Sequence, residues 1–211
     1  MQEDRARLGK AFIKSVDHVS FLSVPMGVGI FCVSDSLIPV LFGDRWQGIV
    51  PIVDVLAFYG TLLATASVCG PALQALGRPQ VFLVTELIRQ TILISGLLVF
   101  SGGGGVAVAW CVLVALLVVS IFGFYLLARY LELRAVDLLG PMVRSSLAAA
   151  LMGLTVWGAA LLLPGDAPAW LRLLLLAPAG AASYPAFSLF VNRSALEAFL
   201  ATVRKTGSRG A

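Results

Sequence analysis

The stretch QTILISGLLVFSGGGGVAVAWCVLVALLVVSIFGFYLLA (Gln90 to Ala128) runs for 39 residues without Asp, Glu, Lys or Arg. As one helix it would extend for about 58 Å, nearly twice the roughly 30 Å hydrocarbon thickness of a bilayer. Four consecutive glycines (Gly102 to Gly105) lie near its middle, and glycine is the weakest helix former after proline. The stretch therefore predicts two membrane-spanning helices joined by a tight turn.

The composition of the whole chain agrees with a membrane protein. Of its 211 residues, 59% are hydrophobic and 12% are charged, and the mean hydropathy is +0.96. A soluble domain carries about a quarter charged residues, so this chain could not cover its apolar surface with polar groups. Three further uncharged gaps can each hold a span: Asp54 to Arg78, Arg144 to Asp166, and Arg172 to Arg193.

These gaps account for five spans, and the apolar run at 19–42 adds a sixth, so the sequence predicts an all-α membrane protein with six transmembrane helices. The spans are expected at 19–42, 50–75, 80–101, 105–128, 143–163 and 171–191. A cytoplasmic amphipathic segment (1–18) precedes the 19–191 membrane domain, and a basic cytoplasmic tail (192–211) follows it. Pro25 and Asp35 are tolerable in the first span where neighbouring helices or water satisfy the freed backbone groups.

The distribution of basic residues predicts the orientation of the helices. With the N-terminus in the cytoplasm, twelve of the 15 Lys and Arg residues lie inside, two lie outside, and Arg89 lies within a span. Since cytoplasmic loops carry an excess of Lys and Arg, both termini are expected in the cytoplasm. GDRWQG (Gly43 to Gly48) then becomes a short external turn, with Trp46 at the membrane interface. The inner basic residues are attracted to anionic membrane lipids.

No catalytic or cofactor-binding pattern is present in the sequence. Cys32, Cys69 and Cys111 are isolated in apolar runs, and His18 is the only histidine, so neither a metal site nor a His-containing triad is expected. The glycine run lacks the Lys-Ser/Thr of a phosphate-binding loop. The basic tails lack the stacking aromatics of nucleic-acid binders. A glycan polymerase or ligase would need large external loops with clustered Arg and His. We therefore expect a protein that is not an enzyme and has no cofactor.

Four charged residues within or near the spans are candidate lumen-facing groups: Asp35, Asp54, Glu86 and Arg89. Charges inside a membrane are costly and usually face a cavity or a partner. Glu86 and Arg89 are three residues apart, so on a helix they share a face and can pair. They either anchor two helices as a structural ion pair or line a polar groove. Asp35 and Asp54 are shallow, which favours simple interfacial exposure.

Several motifs follow one another in a familiar order. QEDRARLGKAF (Gln2 to Phe12) precedes VPMGVGIFCVSDSLIPVLFGDRW (Val24 to Trp46), PIVDVLAFYG (Pro51 to Gly60), ALQALGRPQ (Ala72 to Gln80) and GGGVAVAW (Gly103 to Trp110). This order resembles the polysaccharide transporter family of O-antigen and exopolysaccharide flippases, in the superfamily that includes the multidrug and toxin extruders. The resemblance implies structural roles for Pro25, Gly27, Gly43, Trp46, Gly77, Arg78 and Gly105.

The resemblance implies an export function and an additional partner. Such transporters have about twice as many spans in two lobes, and this chain resembles the C-terminal lobe only. A complete member would flip an undecaprenyl-diphosphate-linked glycan across the bacterial inner membrane by alternating access. Because the rocking of two bundles requires both of them, an N-terminal half-transporter or an oligomer is the expected partner. The alternative is a truncated membrane module that transports nothing.

Overall fold

The structure is a computed structural model that describes residues 2–164 and 167–191. Apart from short connections, this part of the chain is helical, and it contains no strand. The helices are α1 (Gln2–Phe42), α2 (Val50–Ala66), α3 (Cys69–Ala75), α4 (Pro79–Phe100), α5 (Gly104–Tyr130), α6 (Ala135–Leu162) and α7 (Ala169–Val191). Short 3₁₀ segments at Asp44–Ile49 and Ser101–Gly103 form two of the connections. Six segments are long and apolar enough to cross a membrane, which confirms the predicted all-α, six-span fold.

Two of the segments differ in form from the expected spans. The α1 helix continues from residue 2 through the whole of the first span, so residues 2–18 are not a separate element. The second span consists of α2 and α3, with a break at Ser67 and Val68. The expected basic tail, 192–211, lies outside the described residues.

Glycine ends the second span by a specific backbone geometry. Gly77 follows α3 with a φ of +69°, a left-handed conformation that costs glycine no steric strain. The Gly77 amide donates to the Gln74 carbonyl, and the Arg78 amide donates to the Leu73 carbonyl. This pair of bonds is the Schellman motif, which satisfies the carbonyls at a helix end. Pro79 then begins α4, where the missing proline amide carries no penalty.

The core is concentrated where the first part of α1 meets the ends of other helices. Phe12 and Val16 are buried there, and Leu73 of α3, Leu127 of α5 and Leu138 of α6 pack around them. A second cluster joins the middle of α1 to α6 and α7, with Phe21, Ala148, Ala149, Met152 and Tyr184 buried together. The α1 helix therefore connects the bundle, packing against α2, α6 and α7.

Gly27 allows α1 and α2 to approach closely. A methyl group added at this position would overlap the Thr61 hydroxyl and come within 2.9 Å of the Ala57 carbonyl oxygen. The Thr61 hydroxyl lies 3.2 Å from the Ser23 carbonyl oxygen of α1 and 3.0 Å from that of Ala57. Small residues commonly serve this purpose between membrane helices, because they let backbones come together.

A tyrosine from α7 compensates for the proline within α1. Pro25 has no amide hydrogen, so it cannot donate to the Phe21 carbonyl four residues earlier. The Tyr184 hydroxyl donates to that carbonyl at 2.7 Å, and the bond is buried. The Phe21 and Tyr184 rings pack at a tilt, with centroids 5.3 Å apart. In lipid, backbone groups freed by a proline are satisfied by neighbouring helices in this manner.

The two ends of the bundle differ in composition. All four tryptophans are exposed and lie near the end formed by the Gly43, Gly103 and Pro164 connections: Trp46, Trp110, Trp157 and Trp170. Tryptophan is enriched at membrane interfaces. Basic residues predominate at the opposite end, where α1 begins and α5 ends. This asymmetry is consistent with a bundle that spans a bilayer from end to end.

We predict that Gly27→Ala destabilises the protein, whereas Gly29→Ala on the same helix does not. The added methyl at position 27 must push α2 away from α1, at a cost of about 1–3 kcal/mol for overpacking. At position 29 the nearest atom is Met152 Cε at 3.9 Å, an ordinary contact. Thermal unfolding of the two purified variants in detergent measures the difference. Equal melting temperatures would contradict the close approach of α1 and α2.

We also predict that Tyr184→Phe lowers stability by roughly 1 kcal/mol, because it removes the hydroxyl that donates to the Phe21 carbonyl. Pro25→Ala supplies an amide that can donate to the same carbonyl. The loss caused by Tyr184→Phe should therefore shrink in the Pro25→Ala background. A double-mutant cycle followed by thermal unfolding tests this coupling. Strictly additive effects would show that the two residues act independently.

Candidate functional site

Glu86 and Arg89 form an ion pair within α4. The Arg89 Nε donates to both Glu86 carboxylate oxygens, at 3.1 and 3.0 Å, and the Arg89 Nη2 also contacts Glu86 Oε1. The Gln90 side-chain amide donates to the same Oε1 at 3.3 Å. The pairing expected from their spacing of three residues is therefore present, and Gln90 extends it into a polar triad. We call Glu86, Arg89 and Gln90 the α4 polar triad.

The triad lies halfway along a helix that is largely uncovered. Arg89 is the eleventh of the 22 residues of α4, so it lies about 15 Å from either helix end. Thr85 is the only residue of α4 that is fully buried, and the Glu86 side chain is 39% exposed. The helix packs against α5 and, to a smaller extent, α3. The hydrogen bonds within the α4 polar triad stay on α4, and the triad is partly exposed: the Arg89 side chain is 19% exposed, less than that of Glu86.

The two aspartates of the sequence-predicted set have different environments. The Ser34 hydroxyl of α1 lies 2.6 Å from Asp54 Oδ1 of α2 and 3.1 Å from the Phe31 carbonyl oxygen. Ser34 itself is buried, so this hydrogen bond joins α1 to α2 on the side of the Gly43 connection. Asp35 is exposed on α1. Asp54 thus contacts Ser34. Neither aspartate lies on α4, the helix that carries the polar triad.

The remaining motif residues lie at turns and helix contacts. Trp46 is exposed at the tip of the first connection, and its ring centroid is 6.4 Å from that of Phe42. The Arg78 guanidinium lies over the Tyr130 ring, 4.7 Å from its centroid, and so joins the α3–α4 turn to the end of α5. Gly43 has a φ of +90°. A methyl group at Gly105 would contact the tip of Ile52 of α2.

Several polar contacts were missed by the sequence reasoning. Ser34, Thr61 and Tyr184 all make hydrogen bonds between helices. Of these, Tyr184 could have been found from a sequence signal, because Pro25 frees a carbonyl that a buried hydroxyl must satisfy. Serine and threonine are common in membrane helices, so nothing in the pattern distinguished Ser34 or Thr61 from the others.

Two apolar grooves run beside the middle of α1. One lies between α1 and α2 with a volume of about 600 Å³, and Leu22, Met26, Gly60 and Ala64 are among its lining residues. The other lies between α1, α6 and α7 with a volume of about 660 Å³. Both are lined almost wholly by apolar atoms, which suits hydrocarbon chains or other helices. Among residues 2–164 and 167–191, no group of His, Cys, Asp and Glu side chains could hold a metal ion.

Comparison with known proteins identifies relatives named for the biosynthesis or transport of polysaccharides. A family model described as "Polysaccharide biosynthesis protein" matches residues 1–51. The teichuronic acid biosynthesis protein TuaB of Bacillus subtilis is 28% identical over 155 residues, which are 72% of this chain and 32% of that protein. The lipopolysaccharide biosynthesis protein WzxC of Escherichia coli is 26% identical over 121 residues, which are 57% of this chain and 24% of that protein.

The succinoglycan biosynthesis transport protein ExoT of Rhizobium meliloti is 30% identical over 89 residues, which are 42% of this chain and 18% of that protein. No solved structure matches the chain significantly. The chain spans about a third or less of the length of these relatives. The matches confirm the resemblance to a family of polysaccharide transporters, and their partial coverage fits the part expected from the motifs.

Proposed function

We propose that this chain, a relative of polysaccharide transporters, forms one of two helix bundles that together move a lipid-linked glycan precursor across the bacterial inner membrane. The second bundle is supplied by an N-terminal half or by another copy. The glycan carrier is an undecaprenyl diphosphate, whose diphosphate is the charged part that must cross. The chain moves this substrate without altering it, so it acts as a transporter and not as an enzyme.

The α4 polar triad is the observation that carries this proposal. A charged side chain facing lipid at mid-bilayer is expensive, about 2.5–3.5 kcal/mol on insertion scales. The pairing of Glu86 with Arg89 offsets part of this cost, but the Glu86 and Arg89 side chains remain 39% and 19% exposed on a helix that the bundle covers only in part. A water-filled groove or a second bundle against α4 would remove the remaining cost. We therefore propose that α4 faces the transport pathway.

The length of the relatives supports a second bundle. The aligned residues make up 32% or less of each relative, so most of such a protein has no counterpart here. Alternating access in transporters is largely the rocking of one bundle against another around a site between them. Six spans supply one such bundle. The exposed α4 offers one side of the interface at which the two would meet.

The proposed orientation places both termini in the cytoplasm. It follows from the excess of Lys and Arg at the end where α1 begins. The exposed tryptophans then belong to the outer interface.

Complementation of a flippase-deficient strain tests the function, with surface polysaccharide as the readout. We expect no restoration by this chain alone and restoration when it is produced with the N-terminal part of a longer homologue. Restoration by the chain alone would mean that six spans, as a monomer or an oligomer, form a pathway. Failure of both, with the protein confirmed in the membrane, would favour the transport-inactive module.

In the complementing assembly, Glu86→Ala and Arg89→Ala should each reduce export several-fold, because each leaves an unpaired charge in the pathway. Thr91→Ala is the matched control on the same helix, since the Thr91 hydroxyl bonds only to the Leu87 carbonyl of its own helix. Surface polysaccharide is measured relative to the amount of protein in the membrane. Normal export by both single variants would refute the role of the triad.

The charge-exchanged variant Glu86→Arg/Arg89→Glu separates transport from helix stability. It keeps the ion pair but reverses the positions of the two charges. If the pair only stabilises α4, this variant should export normally. If the charges face the substrate, we expect normal protein levels with export still reduced.

A further inference from the structure

One ridge of α1 changes along its length from basic to apolar. Side chains four residues apart follow one another along a helix surface. Along α1 this spacing gives, in order, Lys10, Lys14, His18, Leu22, Met26 and Ile30. Both lysines are exposed, His18 is half-buried, and the three apolar side chains are 36–57% exposed. The ridge therefore offers a cationic end and a hydrocarbon-like end on one continuous surface.

The cationic end forms a hollow with a third basic residue. Lys10 and Lys14 line it from α1, and Arg144 lines it from α6, together with Asp17. In the described part of the chain, none of these three cations forms an ion pair with a carboxylate. The ion pair found there joins Glu86 to Arg89, far from the hollow in the sequence. Phe12 and Val16 anchor the same stretch of α1 in the core. Three cations around one carboxylate leave a positive, firmly held hollow of about 320 Å³.

The hollow and the apolar groove between α1 and α2 follow one another along α1 and are bridged by shared lining residues. Lys14 lines both this hollow and a shallow depression beside it, and the depression in turn shares His18 and Val19 with the groove. From His18 to Ile30 the groove follows twelve residues, or about 18 Å of helix. That length is close to one leaflet of a roughly 30 Å hydrocarbon layer.

We propose that this surface binds an anionic phospholipid. Its phosphate lies against Lys10, Lys14 and Arg144, and one acyl chain lies along Leu22, Met26 and Ile30 in the groove. Charge selects the headgroup, because a basic cluster attracts anionic lipids while a zwitterionic headgroup gains little. Asp17 opposes the phosphate and weakens the binding. The bound lipid would fix the beginning of α1 at the membrane surface, independently of whether α4 faces a transport pathway.

Binding is measured with the purified full chain in detergent by native mass spectrometry, titrating phosphatidylglycerol and phosphatidylcholine with identical acyl chains. We expect phosphatidylglycerol to bind at least about tenfold more tightly. Lys10→Gln/Lys14→Gln/Arg144→Gln should abolish this preference. The matched control, Arg7→Gln/Arg45→Gln/Arg129→Gln, removes as many positive charges from exposed positions outside the hollow and should retain it. An equal loss in both triple variants would overturn the proposal, because it would show non-specific attraction.

Two further variants test the two ends of the site separately. Asp17→Asn should tighten phosphatidylglycerol binding, a gain that misfolding cannot produce. Gly60→Leu should extend a side chain into the groove, since a Cβ added at this position meets no heavy atom within 4 Å, and should weaken the binding of the phospholipid severalfold. Unchanged binding in both variants would overturn the assignment.

Competition identifies the lipid. Glycerol phosphate, which has no acyl chain, should not displace phosphatidylglycerol at millimolar concentration. A polyprenyl phosphate that displaces it at a much lower concentration than phosphatidylglycerol itself would overturn the phospholipid assignment and reassign the surface to the isoprenoid carrier.

Discussion

The structure depends on one constraint of the bilayer: it offers no water to hydrogen-bond a backbone group that has lost its helical partner. Pro25 removes a donor in the middle of α1, and the Tyr184 hydroxyl replaces it from α7. Gly77 ends α3 with a left-handed turn, and two amides cap the last carbonyls before Pro79 starts the next helix. Both of these departures from regular helix are satisfied within the protein, and the Tyr184 bond also holds α7 against α1.

Polar side chains in the bundle have two different roles. Ser34 with Asp54 and Thr61 with the Ser23 carbonyl lie between α1 and α2, where they fix the contact of the two helices. The α4 polar triad is charged and partly exposed, on a helix with few neighbours. Hydrogen bonds between packed helices need no further partner, whereas a charged group on an open face does. This difference, more than the presence of charge itself, distinguishes a structural contact from a candidate transport surface.

The α1 helix combines several of these features in one element. Its first third anchors the core and carries the basic ridge, and its middle holds both Pro25 and the close approach at Gly27. Its last part bears Ser34 and Asp35 and ends at Phe42, just before Gly43. The family model that matches residues 1–51 includes the whole of α1 and the 3₁₀ turn that follows it. The helix inside that match is also one that packs against α2, α6 and α7.

The sequence by itself determined the class of the fold, the number of spans and the pairing of Glu86 with Arg89. These follow from local properties: the length of uncharged runs, the glycines that interrupt them, and a spacing of three residues on a helix. Only the tertiary structure decided which helices lie beside one another. It showed that residues 2–18 extend α1 into the core, that the Tyr184 hydroxyl donates to the Phe21 carbonyl 163 positions away in the sequence, and that α4 is only partly covered by the other helices. Apolar helices in a membrane all carry similar side chains, so the periodicity of the sequence does not show which helices pack together. Close packing at small residues and a few hydrogen bonds between helices decide which ones are neighbours.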